Sequence, residues 1–124
     1  MRRIRISEVQ EEPIATATPT GDWTGGPVSR TRQTIIPQGG SKNFNCSVVN
    51  FGRGATTGWH VHNNDQILVI TGGRGLVGNE HEEHHVGVGD VVQIMAGENH
   101  YHGATKDSYM SHITITVAES QSRG

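Results

Sequence analysis

Apolar and polar positions alternate over short spans of this chain, and the spans are broken by Gly, Asn, Asp and Pro. No stretch holds a helical apolar period over the length of a helix, so the pattern predicts an all-β protein. Strands are predicted at 2–6, 32–36, 43–51, 58–62, 66–71, 75–78, 83–88, 91–95, 100–104 and 109–118. Paired glycines tolerate the positive φ of a tight turn, so Gly72-Gly73 reads as a hairpin, with Gly89-Asp90 as a second turn. Roughly ten short strands at this spacing predict a β-sandwich or a jelly-roll barrel.

The 124 residues suit one domain, divided as an N-terminal arm with an edge strand (1–30), a barrel (31–119) and a tail (120–124). Pro13, Pro19, Gly21, Gly25, Gly26 and Pro27 make the arm irregular, and Trp23 is expected to anchor it on the barrel or on a neighbouring subunit. Side chains classed as hydrophobic are 32% of the chain. A core this glycine-diluted gains from a bound metal or a partner subunit.

The formal net charge of −2 gives no reason to expect nucleic acid or an anionic membrane as partner. Arg2, Arg3 and Arg5 alternate with Ile4 and Ile6 as an edge strand would, and no apolar run follows that suits a signal peptide or a membrane span. Cys46 is alone and has no internal disulfide partner. A cytoplasmic location is the default expectation.

The 8 histidines carry the chemistry. Residues two apart on a strand share a face, so His60 and His62 present two imidazoles to one point. Gln66 shares their parity beyond Asn63-Asn64-Asp65, and His100 can complete a four-donor set with positions left open. One such pair alone would read better as a polar strand face. Two in neighbouring strands favour a metal. Asp65 has the wrong parity and, with Glu98, is left outside the donor set. The cluster Glu80-His81-Glu82-Glu83-His84-His85 reads as a solvated loop or edge. Ser47, Val49 and Phe51 are expected beside the metal, with Leu68 and Ile70 as apolar wall, although ordinary core packing explains these residues as well. Trp59, opposite in parity to His60, is expected in an intersheet or subunit contact. On the last strand Met110, His112, Thr114 and Thr116 share one face and Ile113, Ile115 and Val117 the other, and pattern alone does not choose which faces inward.

The spacing resembles the cupin superfamily. Gly54 is followed by five residues, His60-Val61-His62, three residues, Gln66, six residues and Gly73, and only the glutamine departs from the first cupin motif, which has glutamate. Gly89, Gly97 and His100 match the second motif, with Met95 and Ala104 replacing its proline and asparagine. The resemblance implies a double-stranded β-helix of the RmlC-like kind. Within the superfamily the chain is similar to the manganese-dependent bacterial cupin-type hydroxynitrile lyases, through Gly21-Asp22-Trp23, the run from Gly54 to Gln66, Gly97 to Ala104 and Met110-Ser111-His112. It implies a three-histidine, one-glutamine site for manganese, with iron, nickel, cobalt or zinc as alternatives. It also implies His112 as a pocket base, with His102 second, a substrate pocket including Thr116, and a homodimer. The expected activity is lyase-like, a hydroxynitrile or retro-aldol cleavage of a small carbonyl or hydroxy compound. A metal-dependent oxygenase and a non-catalytic ligand-binding cupin remain the alternatives.

Overall fold

The computed structural model describes residues 1–14 and 29–118. Trp23, the Gly21-Asp22-Trp23 arm and the tail lie outside them. Eight strands follow in order: β1 (Glu12–Pro13), β2 (Arg30–Ile36), β3 (Phe44–Phe51), β4 (Gln66–Asn79), β5 (Glu83–Gly87), β6 (Val91–Ile94), β7 (His100–Ala104) and β8 (Met110–Val117). All pair antiparallel, and β3, β8 and β4 form the centre, with β2 outside β3. The first half of β4 also pairs with β6, and its second half runs between β5 and β7. β4 is thus shared by the two faces of a β-barrel.

Gly72-Gly73 is not a hairpin. The chain passes through it within β4, with a register shift between Ile70 and Gly72 against β8. Gly73 has φ +67, and a Cβ there would sit 1.8 Å from the Tyr109 carbonyl oxygen. Glycine at this point lets β4 bend from one sheet into the other while β8 stays in contact. Two predicted strands are therefore one. The expected strand at 2–6 is absent, and a short 3-10 helix stands at Ile6–Glu8. Its region is tied to β2 by Gln33, whose amide nitrogen donates to the Ile6 and Val9 carbonyls, each at 2.9 Å. The predicted strand at 58–62 is reduced to one isolated bridge, His60 with His100, and a second, Thr56 with Gly103, lies just before it.

Alternation decides the two faces of the large sheet. Along one cross-strand row Arg32 faces Val49, Val49 faces His112, and His112 faces Ile70. Val49, Phe51, Ile70 and Met110 are buried together with Ala55, Val77, Val86 and Ala104. His112 is 0% exposed, so the Met110–His112–Thr114 face of β8 points inward and the Ile113–Ile115 face outward. That outer face leaves Ile67, Val91, Phe44 and Val117 exposed. No helix among the described residues is long and apolar enough to cross a membrane.

Candidate metal centre

His60 and His62 precede β4, in a segment held against the turn between β6 and β7. The Gly97 amide donates to the His62 carbonyl at 2.9 Å, and the Ala96 amide donates to Asp65 Oδ1 at 2.9 Å. His60 and His100 exchange backbone hydrogen bonds at 2.8 and 3.0 Å. Gly97, at φ +83, turns the chain from β6 towards His100, and Glu98 closes the turn by accepting from the Met95 amide at 3.0 Å. Asp65 and Glu98 therefore act as braces of the loops that carry the histidines.

These loops bring three imidazoles together. The reactive nitrogens of His60, His62 and His100 lie within 4.8 Å of one another, and the three residues can hold a metal ion. Ring centroids are 4.1 Å apart for His60 and His100, and 4.8 Å for His60 and His62. Nδ1–H of His60 donates to the Gly58 carbonyl at 2.9 Å, and Nδ1–H of His100 donates to the Glu98 carbonyl at 2.9 Å. A carbonyl can only accept, so in both rings Nε2 keeps its lone pair. His100 Nε2 and Gln66 Oε1 are buried without a hydrogen-bond partner. Buried acceptors are seldom left so, because each costs on the order of 1–3 kcal/mol. A cation is the partner that suits both, and the residues fit one. Burial, above all, pushes His60 down to about 4, with the repulsion of His100 and His62 adding to it, and burial followed by the repulsion of His100 lowers His62; both rings are neutral near pH 7, as ligation requires.

A cavity of about 280 Å³ opens beside the cluster, lined by His60, His62 and Gln66 together with Ser47, Val49 and His102. Phe51 and Leu68 are buried behind this wall, at 2% and 0% exposure. Thr116 lies with His62 on a separate cavity of about 360 Å³ at the Asn63-Asn64-Asp65 mouth. His102 is buried on the cavity wall, and His112 lies behind it. His112 Nε2 is 3.1 Å from His102 Nδ1, and His112 Nδ1 is 2.9 Å from the Thr114 hydroxyl. His102 Nε2 has no partner. Burial pushes His112 down to about 4 and His102 well below its ordinary value, so both are neutral. Sequence reasoning did not select Thr114, Arg30 or Arg32, which also line the cavity. Thr114 shares the parity of His112, and the two arginines share parity with each other across the arm–barrel boundary.

His81, His84 and His85 are all exposed around the β4–β5 turn and its edge strand, with His84 paired to Glu82. Trp59 packs edge-on against Tyr101, with ring centroids 4.8 Å apart.

An antiparallel barrel in which two histidines from the segment before β4 meet a third at the start of β7 defines a class of small β-barrel with a candidate metal site. The cupin domain model matches residues 47–116, and the chain belongs to the cupin family. It is 43% identical over 70 residues to the (R)-mandelonitrile lyase of Granulicella tundricola, a match covering 54% of this chain and 52% of that protein. The matched region thus spans about half the length of that curated relative. A cupin-like protein of Thermotoga maritima superposes with a TM-score of 0.69 at 29% identity, covering 85% of this chain and 80% of that one. The polyketide cyclase of Streptomyces resistomycificus superposes with a TM-score of 0.77 at 16% identity, covering 96% and 80%, which bears on the fold alone.

Proposed function

We propose that the protein is a metal-dependent lyase that cleaves or forms a carbon–carbon bond in a small carbonyl or hydroxy compound, of the hydroxynitrile or retro-aldol type. The observation that carries the proposal is a set of unsatisfied buried atoms at the histidine cluster and on the wall of the cavity beside it. Among the described residues His100 Nε2 lacks a partner, and so do Gln66 Oε1 and His102 Nε2 on the cavity wall. His60, His62, Gln66 and His100 would hold the ion, with manganese the proposed occupant and iron, nickel, cobalt or zinc acceptable to the same donors. Bound there, a divalent ion supplies Lewis-acid polarisation of a carbonyl or hydroxyl oxygen. The four donors carry no charge of their own and provide no carboxylate to act as base.

The proton is handled by His102, with His112 and Thr114 behind it. When His102 Nδ1–H donates to His112 Nε2, and His112 Nδ1–H donates to Thr114, His102 Nε2 is left as a bare acceptor towards the cavity. It takes a proton there as its Nδ1 proton passes to His112 Nε2, the His112 Nδ1 proton passes to Thr114 Oγ1, and the Thr114 hydroxyl gives up its own proton in the same motion, so that no group is left doubly protonated. Thr114 also lines the cavity, so the row can return a proton to the other end of the reacting molecule. This order makes His102 the acceptor and His112 its positioning and relay partner. The match to a mandelonitrile lyase supports this reaction class. The outward apolar face of the large sheet supports a homodimer.

The test is manganese-reconstituted protein given racemic mandelonitrile and, separately, a β-hydroxy ketone, with aldehyde release followed by absorbance beside an oxygen electrode. Aldehyde formed without oxygen uptake, abolished by chelator and lowered about 100-fold in His102→Ala with metal retained, is the expected result. Oxygen consumption would favour an oxygenase, and no turnover of either compound would favour a binding role.

A further inference from the structure

The cavity wall carries two guanidinium groups and no carboxylate. Arg30 and Arg32 share a face of β2 and line the cavity with His60, His62, Gln66 and His102. Among the described residues the ion pairs are Arg5–Glu8, Arg74–Asp107 and His84–Glu82, so neither cavity arginine is neutralised by one. Among the described residues Arg30 Nε is buried with no hydrogen-bond partner. Such a group is costly to keep unless something binds to it. Burial, then the charge of Arg32, lowers the pKa of Arg30, and the charge of Arg30 is felt at His60 and His102. The metal donors are neutral as well, so no group of the wall offsets these two positive charges.

We propose that the cavity selects a small carboxylate-bearing molecule, a hydroxy- or oxo-carboxylate whose carboxylate rests on Arg30 and Arg32. Its hydroxyl or carbonyl oxygen then faces the histidine–glutamine cluster. The inference rests on the metal-site reading for the second contact only, and of the two reaction types proposed it favours the retro-aldol one, whose substrate can carry a carboxylate. A guanidinium fork matches two carboxylate oxygens in one plane, which a neutral nitrile or amide cannot reproduce. The cavity of about 280 Å³ limits the ligand to a small molecule. Charge and shape together give the site a reason to hold unpaired arginines beside a cationic centre.

The test is calorimetric titration with glycolate, with its neutral isostere glycolamide, and with inorganic phosphate. Wild type, Arg30→Gln, Arg32→Gln and Arg30→Lys are compared, each with metal content and circular dichroism recorded on the same sample. Wild type is expected to prefer glycolate over glycolamide by at least about 10-fold, and each Arg→Gln change to remove about that factor with metal content unchanged. Arg30→Lys, which keeps the charge and loses the fork, falls between. Equal binding of glycolate and glycolamide would overturn the inference, as would a preference indifferent to both Gln variants, since the metal alone would then hold the carboxylate. Tighter, arginine-dependent binding of phosphate would overturn the carboxylate assignment. If the protein retains no metal, the metal reading fails separately, and an arginine-dependent preference for glycolate in that sample still upholds the anion subsite.

Discussion

His112 is a titratable side chain with no exposed surface, packed against Phe51 at a ring-centroid distance of 5.4 Å and hydrogen-bonded at both nitrogens. Its folded-state pKa near 4 lies below the ordinary 6.5, so as pH falls the unfolded chain takes up the proton first. Stability from this residue is full above about pH 6.5 and declines as pH drops towards 4. The metal-free protein should be less stable at pH 5 than at pH 7.5 by about 2 kcal/mol on account of His112, and His112→Gln should remove that part of the difference. Urea unfolding at the two pH values checks it, and equal pH dependence in both proteins would contradict it. The inward direction of His112 was not legible in the alternation of β8, because both of its faces carry residues that could be buried. The convergence of His60, His62 and His100 was legible, since their order and parity survive even where 58–62 is not a strand. The arginines were not, because their meaning depends on β2 being folded beside β3.

At the scale of elements, β4 decides the architecture. It is the strand that serves both faces, and the bend at Gly73 makes that possible. Gly73→Ala is expected to destabilise the protein by about 3 kcal/mol or more, because the residue would need positive φ and its Cβ would meet the Tyr109 carbonyl. A shift in the urea midpoint measures this, and an unchanged midpoint would mean the bend is not needed. Paired glycines announce positive φ, but a turn and a bulge within a strand share that signal. Sequence alone therefore split β4 in two while locating its irregular point correctly. The Gly89-Asp90 turn was legible because flanking alternation stops there: the Asp90 amide donates to the Gly87 carbonyl at 3.0 Å, and Asp90 accepts from the Gly87 amide at 2.8 Å.

For the whole molecule, one group of exposed apolar residues among those described, Phe44, Ile67, Val91 and Val117, lies on the outer face of the large sheet. Ile67 and Val91 are 40% and 64% exposed on that face, beside half-buried Ile113 and Ile115. A second copy covering this face would bury it at little conformational cost, since the strands beneath are already paired. The protein should sediment as a dimer, and Ile67→Lys with Val91→Glu should shift it to monomer with the cavity intact. Unchanged sedimentation of the double variant would place any association elsewhere.

The lyase chemistry argued for this barrel depends on an ion at the three histidines and Gln66. Elemental analysis of the purified protein beside His60→Ala and Gln66→Ala variants tests that dependence most directly. The account predicts close to one equivalent of a divalent transition metal per chain, manganese foremost, falling sharply in both variants while circular dichroism stays unchanged. No metal in the native protein, even after reconstitution, or equal metal in native and variant proteins, would contradict it.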